Sequence, residues 1–309
     1  MRADEIHRLA PTSRQVHSVS QFIERHIAYI LIFPTVVGIV LINLYPIAYA
    51  VVISLQKNTL SSASPQFIGL ENYLRVLTDP EMWNSFRISI IFTVASVGLS
   101  FLIGLILALL LNRPLPGRAL IRSLFIVPWA IPAFVAALTW SWMYNDQFGI
   151  FSALLGQAGV TNPPVWLDSD HALWSLIVVM VWKSFPFQLV VLLAGLQSIP
   201  HELYEAAAMD GAPVWRRFYA ITLPLLRPVT MVSLLLATIN AFQYFAIPWI
   251  LTGGGPSNAT NVIAIAVYNI AFASGDLGYG SAAAILMFLF ILAVSGLYLR
   301  SYFREGSNA

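Results

Sequence analysis

Six long apolar runs, separated by shorter polar segments, dominate the pattern of hydrophobic and polar positions along the chain. They lie near residues 27–55, 86–112, 119–145, 172–196, 229–251 and 281–303. Each run is roughly 20 residues or longer, the length that an α-helix needs to cross the hydrocarbon core of a bilayer. A backbone in hydrocarbon must satisfy its own hydrogen bonds, so the pattern predicts an all-α integral membrane protein with six transmembrane helices.

The composition agrees with a membrane location and excludes several kinds of site. Of the 309 residues, 58% are hydrophobic and 10% are charged, whereas a soluble domain carries about 25% charged residues. The absence of cysteine excludes disulfides, thiolate metal ligands and cysteine nucleophiles. The five histidines are His7, His17, His26, His171 and His201. All lie at span edges or in tails without ligand spacing, so we predict no metal site and no catalytic residues.

Positively charged residues are concentrated on alternate connecting segments, and this bias predicts the orientation of the chain. The arginines of one side are Arg2, Arg8, Arg14, Arg25, Arg113, Arg118, Arg122, Arg216, Arg217, Arg227, Arg300 and Arg304. The other side holds only Lys57, Arg75 and Arg87. We therefore expect both termini and the loop 197–228 to be cytoplasmic. Residues 1–26 are expected to form a polar cytoplasmic tail rather than a signal peptide, and residues 27–309 one six-helix domain.

The loop 197–228 contains a polar segment that predicts a helical elbow. Residues 201–210 have high helix propensity, and Gly211 can adopt the positive φ that ends a helix. Pro213 suits the first turn of a second helix. The charges keep this elbow out of lipid, and the small residues 206–208 allow another protein to approach closely. From the residues alone, an ordinary connecting loop held on the membrane surface is the alternative.

Three strings of residues in and near this loop resemble one family of membrane proteins. They are Leu203-Tyr204-Glu205-Ala206-Ala207-Ala208-Met209-Asp210-Gly211-Ala212, Ile221-Thr222-Leu223-Pro224-Leu225-Leu226-Arg227-Pro228 and Leu251-Thr252-Gly253-Gly254-Gly255-Pro256. The strings resemble the carbohydrate-type permeases of ATP-binding-cassette importers, the group that contains the maltose and glycerol-phosphate transporters. The third string is similar to the maltose-transporter subunit with the periplasmic Gly-Gly-Pro turn, the first-permease type. The likeness extends from about Ile27 to the end of the chain.

The resemblance implies that the loop 197–228 is the EAA coupling loop of a permease domain over residues 27–309. The residues implied to form the coupling helix, docked in a cleft of the ATPase, are Glu205, Ala206, Asp210 and Gly211. Glu205 would be the charged contact and Gly211 the elbow.

The chain has no phosphate-binding loop of its own. Such a loop requires a glycine directly before its lysine, whereas Gln56 precedes Lys57 and Trp182 precedes Lys183. ATP and Mg²⁺ are therefore expected on a partner ATPase, with no cofactor on this chain. The resemblance implies a second homologous permease subunit, a dimer of ATP-binding subunits, a periplasmic or lipid-anchored solute-binding protein and membrane lipid as partners, and no nucleic acid. It also implies a multi-pass location in the bacterial inner membrane.

Lys183 is unusual because it lies near the middle of the fourth predicted span. A lysine at the bilayer centre costs about 2.5–3.5 kcal/mol on insertion scales, so it should face a wet cavity or a partner. None of the six predicted spans contains Asp or Glu. Either Lys183 lines the transport pathway, or it pairs with an acid or a carbonyl of the sister subunit. The carbonyl of Trp182, which Pro186 leaves without its helix donor, is another acceptor for Lys183 or for solute.

Residues on the fourth and fifth predicted spans are expected to line the solute pathway. Alignment with the maltose-transporter subunit matches its sugar-binding positions to Met180, Lys183, Ser184, Phe187, Ala237, Ala241 and Tyr244. Several of these are not the polar types of that subunit, which argues against maltose. With neighbouring amides included, the predicted pathway residues are Lys183, Ser184, Phe187, Gln188, Asn240, Gln243 and Tyr244. Alternatively, any one of the polar groups hydrogen-bonds between helices as a packing contact.

The sequence thus predicts the pore subunit of an ATP-driven importer for a sugar or sugar derivative. An unpaired Lys183 in the pathway would favour an acidic solute such as a sugar phosphate, sulfonate or uronate. Solute would pass from a binding protein to the cytoplasm by alternating access. The alternative is a self-sufficient secondary transporter or channel for a polar solute, which predicts intramembrane acids or an inverted repeat. A third class, an intramembrane enzyme, requires paired acids, histidines or a metal cluster inside the membrane.

Overall fold

The chain divides into two units by its internal contacts, Met1–Val52 and Ile53–Ala309. The computed structural model describes residues 27, 29, 31–61, 64–114 and 116–306, with side chains up to residue 301. The predicted tail 1–26 lies outside the described residues. The first unit holds most of helix α1 (Leu31–Ser54), which contains a π-helical turn at Val40–Leu44.

Most of the second unit is helical, with long apolar helices joined by short ones. Its helices are α2 (Glu71–Thr78), α3 (Pro80–Leu111), α4 (Arg118–Ala130), α5 (Ala133–Met143), α6 (Ile150–Gln157), α7 (Ala172–Gln197), α8 (His201–Met209), α9 (Val214–Arg217), α10 (Leu223–Phe242), α11 (Ala246–Thr252), α12 (Ile263–Tyr268) and α13 (Leu277–Gly306). π-Helical turns follow α9 at Phe218–Thr222 and α12 at Asn269–Ala273. Five helical stretches of the described chain are long and apolar enough to cross a membrane, and the pair α4 and α5 makes a sixth if it is one span.

The third predicted span, 119–145, is broken rather than straight. Helices α4 and α5 meet at an angle of 94° across Ile131 and Pro132. Pro132 has no N–H with which to continue the helix, and the residue before a proline is driven out of the α region. Ile131 accordingly has an extended backbone, with φ of −67° and ψ of 131°. The prediction of a continuous helix is wrong here, because apolar content alone does not detect such a break.

The fifth predicted span, 229–251, lies within a longer helical stretch, Val214–Thr252, which is interrupted near its end. Helix α10 ends and α11 resumes after the three residues 243–245. Pro248 lies in the first turn of α11 and has no N–H to donate to the carbonyl of Tyr244, four residues before it. Pro228 lies inside α10 without breaking it, so a proline alone does not account for the interruption.

A short antiparallel hairpin corrects the prediction of an all-α protein. Strands β1 (Gln56–Lys57) and β2 (Gln66–Phe67) pair with each other. The buried Asn72 of α2 holds the hairpin against this helix, since its amide donates to the carbonyls of Ser54 and Gln56, both at 2.9 Å. Two-residue strands leave no trace in a hydropathy pattern.

Helix α3 packs against α7 along a stripe of small residues. The stripe consists of small, buried residues at every fourth position of α3, namely Ser96, Ser100, Gly104 and Ala108. At Gly104 the helices nearly touch, since a Cβ placed there would lie 2.6 Å from the Cβ of Gln188. Close approach through small residues is typical of helix pairs in membranes. The crossing therefore fixes Gln188 directly beside α3.

Asp168 caps the segment that leads into α7. Its carboxylate accepts the backbone N–H groups of Asp170 and His171, at 3.1 and 2.8 Å. The hydrogen bond from the His171 backbone is the largest cause that lowers the pKa of Asp168 below its ordinary value. Because the ionised form is the stabilised one, this contribution is present above the pKa of the unfolded chain and is lost as pH falls through the lowered folded value.

We expect Gly104→Ala to destabilise the protein and Gly98→Ala, on the same helix, to leave its stability unchanged or to raise it slightly. At Gly104 the added methyl would overlap Gln188 and the backbone nitrogen of Leu189, at 2.9 Å, whereas nothing lies within 4 Å of the matching position at Gly98. Overpacking of this kind costs about 1–3 kcal/mol. Thermal unfolding in detergent is the measurement, and equal melting temperatures for the two variants would contradict the close packing of α3 and α7.

Candidate functional site

A cavity of about 340 Å³ lies between α3, α7 and α10, beside both interrupted helices. Its lining residues are Ser96, Val97, Ser100, Trp129, Met180, Lys183, Ser184, Phe187, Gln188, Ala237, Asn240, Ala241 and Tyr244. Trp129 comes from the end of α4, and Tyr244 from the interruption before α11. The volume lies near the lower end of the range of about 300–1,000 Å³ that is usual for small-molecule sites.

The structure brings six of the seven predicted pathway residues to this cavity. They are Lys183, Ser184, Phe187, Gln188, Asn240 and Tyr244. Gln243 is outside the lining, and its side chain is exposed. It lies three residues after Asn240, a spacing that shares a face only within a continuous helix. Because α10 ends at Phe242, that rule no longer applies to Gln243.

Two serines and a tryptophan of the lining were missed by the sequence analysis. Ser96 and Ser100 belong to the small-residue stripe of α3, and their four-residue spacing within an apolar run was the available signal. Trp129 reaches the cavity from the end of α4, next to the 94° bend. The position of that residue depends on the bend, which no linear pattern of apolar residues provides.

Gln188 is a buried polar side chain with an unused acceptor. The residue is 1% exposed, and its amide nitrogen lies 3.5 Å from the carbonyl of Ser233. Its Oε1 has no hydrogen-bond donor among the described residues. Leaving a buried acceptor unpaired costs about 1–3 kcal/mol. The arrangement therefore leaves the Gln188 amide only partly satisfied between the helices.

Other polar groups of the lining make hydrogen bonds within their own helices. The amide nitrogen of Asn240 donates one of its two N–H groups to the carbonyl of Leu236, at 2.8 Å. The hydroxyls of Ser96 and Ser100 donate to carbonyls of α3, and their oxygens remain acceptors. The hydroxyls of Ser184 and Tyr244 belong to the same lining, so the wall contains both donors and acceptors.

Lys183 has partners within this chain, and they differ from the carbonyl of Trp182 that the sequence suggested. Its Nζ donates to the backbone carbonyls of Pro128 and Trp129, both at 2.9 Å, and to that of Ile131. An ammonium group has three N–H donors, so this arrangement uses all of them. Lys183 therefore lines the cavity, but its ammonium group donates to main-chain carbonyls at the end of α4 rather than to the carbonyl of Trp182.

The predicted elbow is present as α8, a turn and α9. The helix expected over residues 201–210 is confirmed as α8, and Gly211 ends it with a φ of +74°. Pro213 precedes α9. The four residues expected to meet the ATPase are all exposed, and they are Glu205, Ala206, Asp210 and Gly211. On the surface of α8, Oε1 of Glu205 lies 3.0 Å from Nδ1 of His201, one turn away.

Tyr204 attaches the elbow to the rest of the second unit. Its hydroxyl lies 2.9 Å from Oγ1 of Thr222, a buried residue in the π-helical turn that leads into α10. The Tyr204 ring packs against an apolar cluster that includes Leu192 and Leu196 of α7. The elbow is therefore bound to both α7 and α10, the same two helices that carry most of the cavity lining.

A binding cavity among apolar helices and an exposed helical elbow define a membrane transport subunit. No group of three His, Asp or Glu side chains in the described part of the chain could hold a metal ion. The model of the family described as "binding-protein-dependent transport system inner membrane component" matches residues 100–304, and the chain belongs to this family. It is a multi-pass inner-membrane subunit of an importer, and not an enzyme, because the ATPase is a separate subunit.

Relatives of similar length agree with this assignment. The chain is 41% identical over 278 residues to the trehalose/maltose transport system permease protein MalF of Thermococcus litoralis, which covers 90% of this chain and 94% of the relative. It is 38% identical over 279 residues to the sulfoquinovosyl glycerol transport system permease protein SmoG of Agrobacterium fabrum, 90% of each chain. It is 32% identical over 280 residues to the sn-glycerol-3-phosphate transport system permease protein UgpA of the same species, 90% of this chain and 95% of the relative.

Solved structures share the fold. A bacterial ABC transporter involved in the import of the acidic polysaccharide alginate has a chain that matches with a TM-score of 0.80 at 19% identity, over 93% of this chain and 99% of that chain. The alginate transporter in complex with alginate pentasaccharide-bound periplasmic protein matches with a TM-score of 0.79 at 20% identity, over 90% and 94%. At these identities the likeness establishes the fold alone.

Removing either hydroxyl of the Tyr204 and Thr222 pair should loosen the attachment of the elbow. Tyr204→Phe and Thr222→Val each delete one partner at nearly constant volume, and one hydrogen bond contributes about 0.5–1.5 kcal/mol. We expect each variant to lower the melting temperature in detergent, and the double variant to add little to the larger single effect. Fully additive effects would show that the two hydroxyls do not depend on each other.

Proposed function

We propose that solute crosses the membrane through the cavity between α3, α7 and α10, and that the elbow contacts the separate ATPase. The residues assigned to the pathway are Lys183, Ser184, Phe187, Gln188, Asn240 and Tyr244. Those assigned to the ATPase contact are Glu205, Ala206, Asp210 and Gly211. The proposal depends above all on the meeting of the six predicted pathway residues in the lining of one cavity between the apolar helices.

The position of the cavity supports this assignment. Non-helical backbone at membrane depth is tolerated where it is buried in protein or lines a water-filled cavity, and transporters place substrate sites at interrupted helices. Here Trp129 and Tyr244, which adjoin the two interruptions, both line the same cavity.

The proposed solute is a sugar or sugar derivative rich in hydroxyl groups. The relatives named for trehalose and maltose, for sulfoquinovosyl glycerol and for sn-glycerol 3-phosphate support this class. Hydroxyl hydrogens can bond to the acceptors of Gln188 and Asn240. The rings of Trp129 and Phe187 in the same wall offer faces on which the C–H side of a sugar ring can lie.

The proposed topology has six spans, with α4 and α5 counted as one, and cytoplasmic termini. The excess of arginine on one set of connecting segments supports this orientation. It also supports a cytoplasmic position for the loop 197–228, where an ATPase would be accessible.

The proposed assembly contains a second permease subunit, a dimer of ATP-binding subunits and a solute-binding protein, in contact with membrane lipid. The family description supports the binding protein, as does the alginate transporter, which was solved in complex with a periplasmic protein. Binding and hydrolysis of ATP with Mg²⁺ on the partner would move the elbow and shift the population between inward- and outward-facing states.

Gly211→Asp should leave the protein inserted but abolish solute uptake and stimulated ATP hydrolysis. The φ of +74° is unfavourable for a side chain, although nothing lies within 4 Å of an added Cβ. The change therefore strains the elbow by roughly 1–2 kcal/mol and adds a charge to the proposed ATPase contact without a clash inside this chain. Membrane abundance and uptake are the measurements.

Gly159→Asp is the matched control for that change. Gly159 follows α6, has a φ of +88° and is equally free of neighbours within 4 Å, but it has no assigned contact with the ATPase. Normal uptake by the Gly211 variant, or an equal loss in the Gly159 variant, would contradict the coupling role.

Asn240→Ala should weaken solute binding in the pathway, whereas Gln243→Ala should not. Both are amides near the end of α10, but only Asn240 lines the cavity. Loss of one hydrogen bond of about 0.5–1.5 kcal/mol predicts a rise of roughly 2- to 13-fold in the KM for uptake. Trehalose, maltose, sulfoquinovosyl glycerol and sn-glycerol 3-phosphate would first be screened against the cognate binding protein. Equal KM values for the two variants would exclude the cavity as the pathway.

A further inference from the structure

The bend between α4 and α5 leaves main-chain carbonyls without a peptide N–H as their hydrogen-bond donor. In a continuous helix the carbonyl of Pro128 would accept from the N–H of residue 132, but that residue is a proline and has none. Helix α4 ends at Ala130, and Ile131 is extended. Carbonyls at this membrane depth therefore need a donor from elsewhere.

Lys183 supplies these donors from α7. Its three N–H groups correspond in number to the three carbonyls that it contacts, those of Pro128, Trp129 and Ile131. A cation at the carboxyl end of a helix is also favoured by the helix dipole. This arrangement gives the Lys183 ammonium hydrogen-bond partners inside the membrane, and it gives the carbonyls of the broken span their donors.

We propose that Lys183 is a positioning residue that replaces the peptide donor missing at Pro132 and sets the bend of the third span. Its three N–H donors are thereby occupied by main-chain oxygens, so Lys183 affects the solute by shaping the cavity and not by donating a hydrogen bond to it. The statement about the solute rests on the proposed function of the cavity, whereas the statement about the bend does not.

The bend also sets the position of Trp129 in the cavity wall. Trp129 lies in the last turn of α4, its carbonyl accepts from Lys183, and its side chain belongs to the lining. A change in the angle between α4 and α5 would move this ring relative to α7, which carries Phe187. Lys183 consequently acts on the solute through Trp129 rather than by donating to it.

The test is a double-mutant cycle in the complete importer purified in detergent. Lys183→Met should lower the melting temperature of the complex, because it leaves three carbonyls without donors. Pro132→Ala returns an N–H to position 132 and should recover part of that loss when combined with Lys183→Met. Pro248→Ala, at the other interruption, is the matched control and should recover nothing. Purely additive melting temperatures for Lys183→Met and Pro132→Ala would overturn the positioning role.

Transport by the same variants in liposomes tests the second part of the proposal. We expect Lys183→Met to reduce the maximal rate of trehalose uptake about tenfold or more, and Lys183→Arg, which keeps donors and charge, to restore part of it. We also expect Lys183→Met to lower the uptake of trehalose and that of sulfoquinovosyl glycerol by similar factors. A selective loss of sulfoquinovosyl glycerol uptake would instead identify Lys183 as a binding site for anions.

The positioning role of Lys183 and the transport role of the cavity can be contradicted independently of each other. If the cavity is not the pathway, Asn240→Ala leaves uptake unchanged while the coupling between Lys183 and Pro132 persists in the melting temperatures. If Lys183→Met does not accumulate, the amount of complex replaces the melting temperature as the readout. Accumulation restored by Pro132→Ala and not by Pro248→Ala then supports the positioning role, and no restoration by either overturns it.

Discussion

The requirement that every peptide group inside a bilayer finds a hydrogen-bond partner governs this structure. Most of the chain meets it with continuous helices, but proline at 132 and at 248 removes a donor in each of two spans. Both interruptions lie next to one cavity, to which they contribute Trp129 and Tyr244. At the first interruption the ammonium group of Lys183 donates to main-chain carbonyls in place of absent N–H groups. The place where the backbone hydrogen bonds are interrupted is thus also the place where a cavity with polar side chains lies.

Close helix packing gives that cavity a firm wall. The small residues of α3 allow α7 to approach until Gly104 and Gln188 are in contact, and the same stripe supplies Ser96 and Ser100 to the lining. One feature of the sequence therefore has two effects. It brings the helices together, and it leaves short hydroxyl side chains where longer ones would fill the space.

Hydropathy and charge predicted the apolar helices, and glycine and proline signals predicted the elbow, because these depend on local chemistry. Six of the seven residues predicted to line the pathway meet in one cavity because helical spacing orders α7 and most of α10. Gln243 lies outside this cavity, since α10 ends at Phe242. The partners of Lys183 could not be predicted, because they are carbonyls more than fifty positions away and no side-chain pattern marks a carbonyl. The hairpin of β1 and β2 escaped because its strands have two residues each.

The hydrogen bond between Tyr204 and Thr222 has a consequence for how the cavity and the elbow affect each other. The elbow is bound to α7 through the apolar cluster and to α10 through the hydroxyl pair, and these helices form two walls of the cavity. A displacement of the elbow that moves these two helices relative to each other would then alter the distance between those walls. Thermodynamic linkage is reciprocal, so a molecule that fits the cavity better at one wall separation also favours one position of the elbow. An importer with an empty cavity and one with solute in the cavity would accordingly present the elbow to the ATPase in different positions.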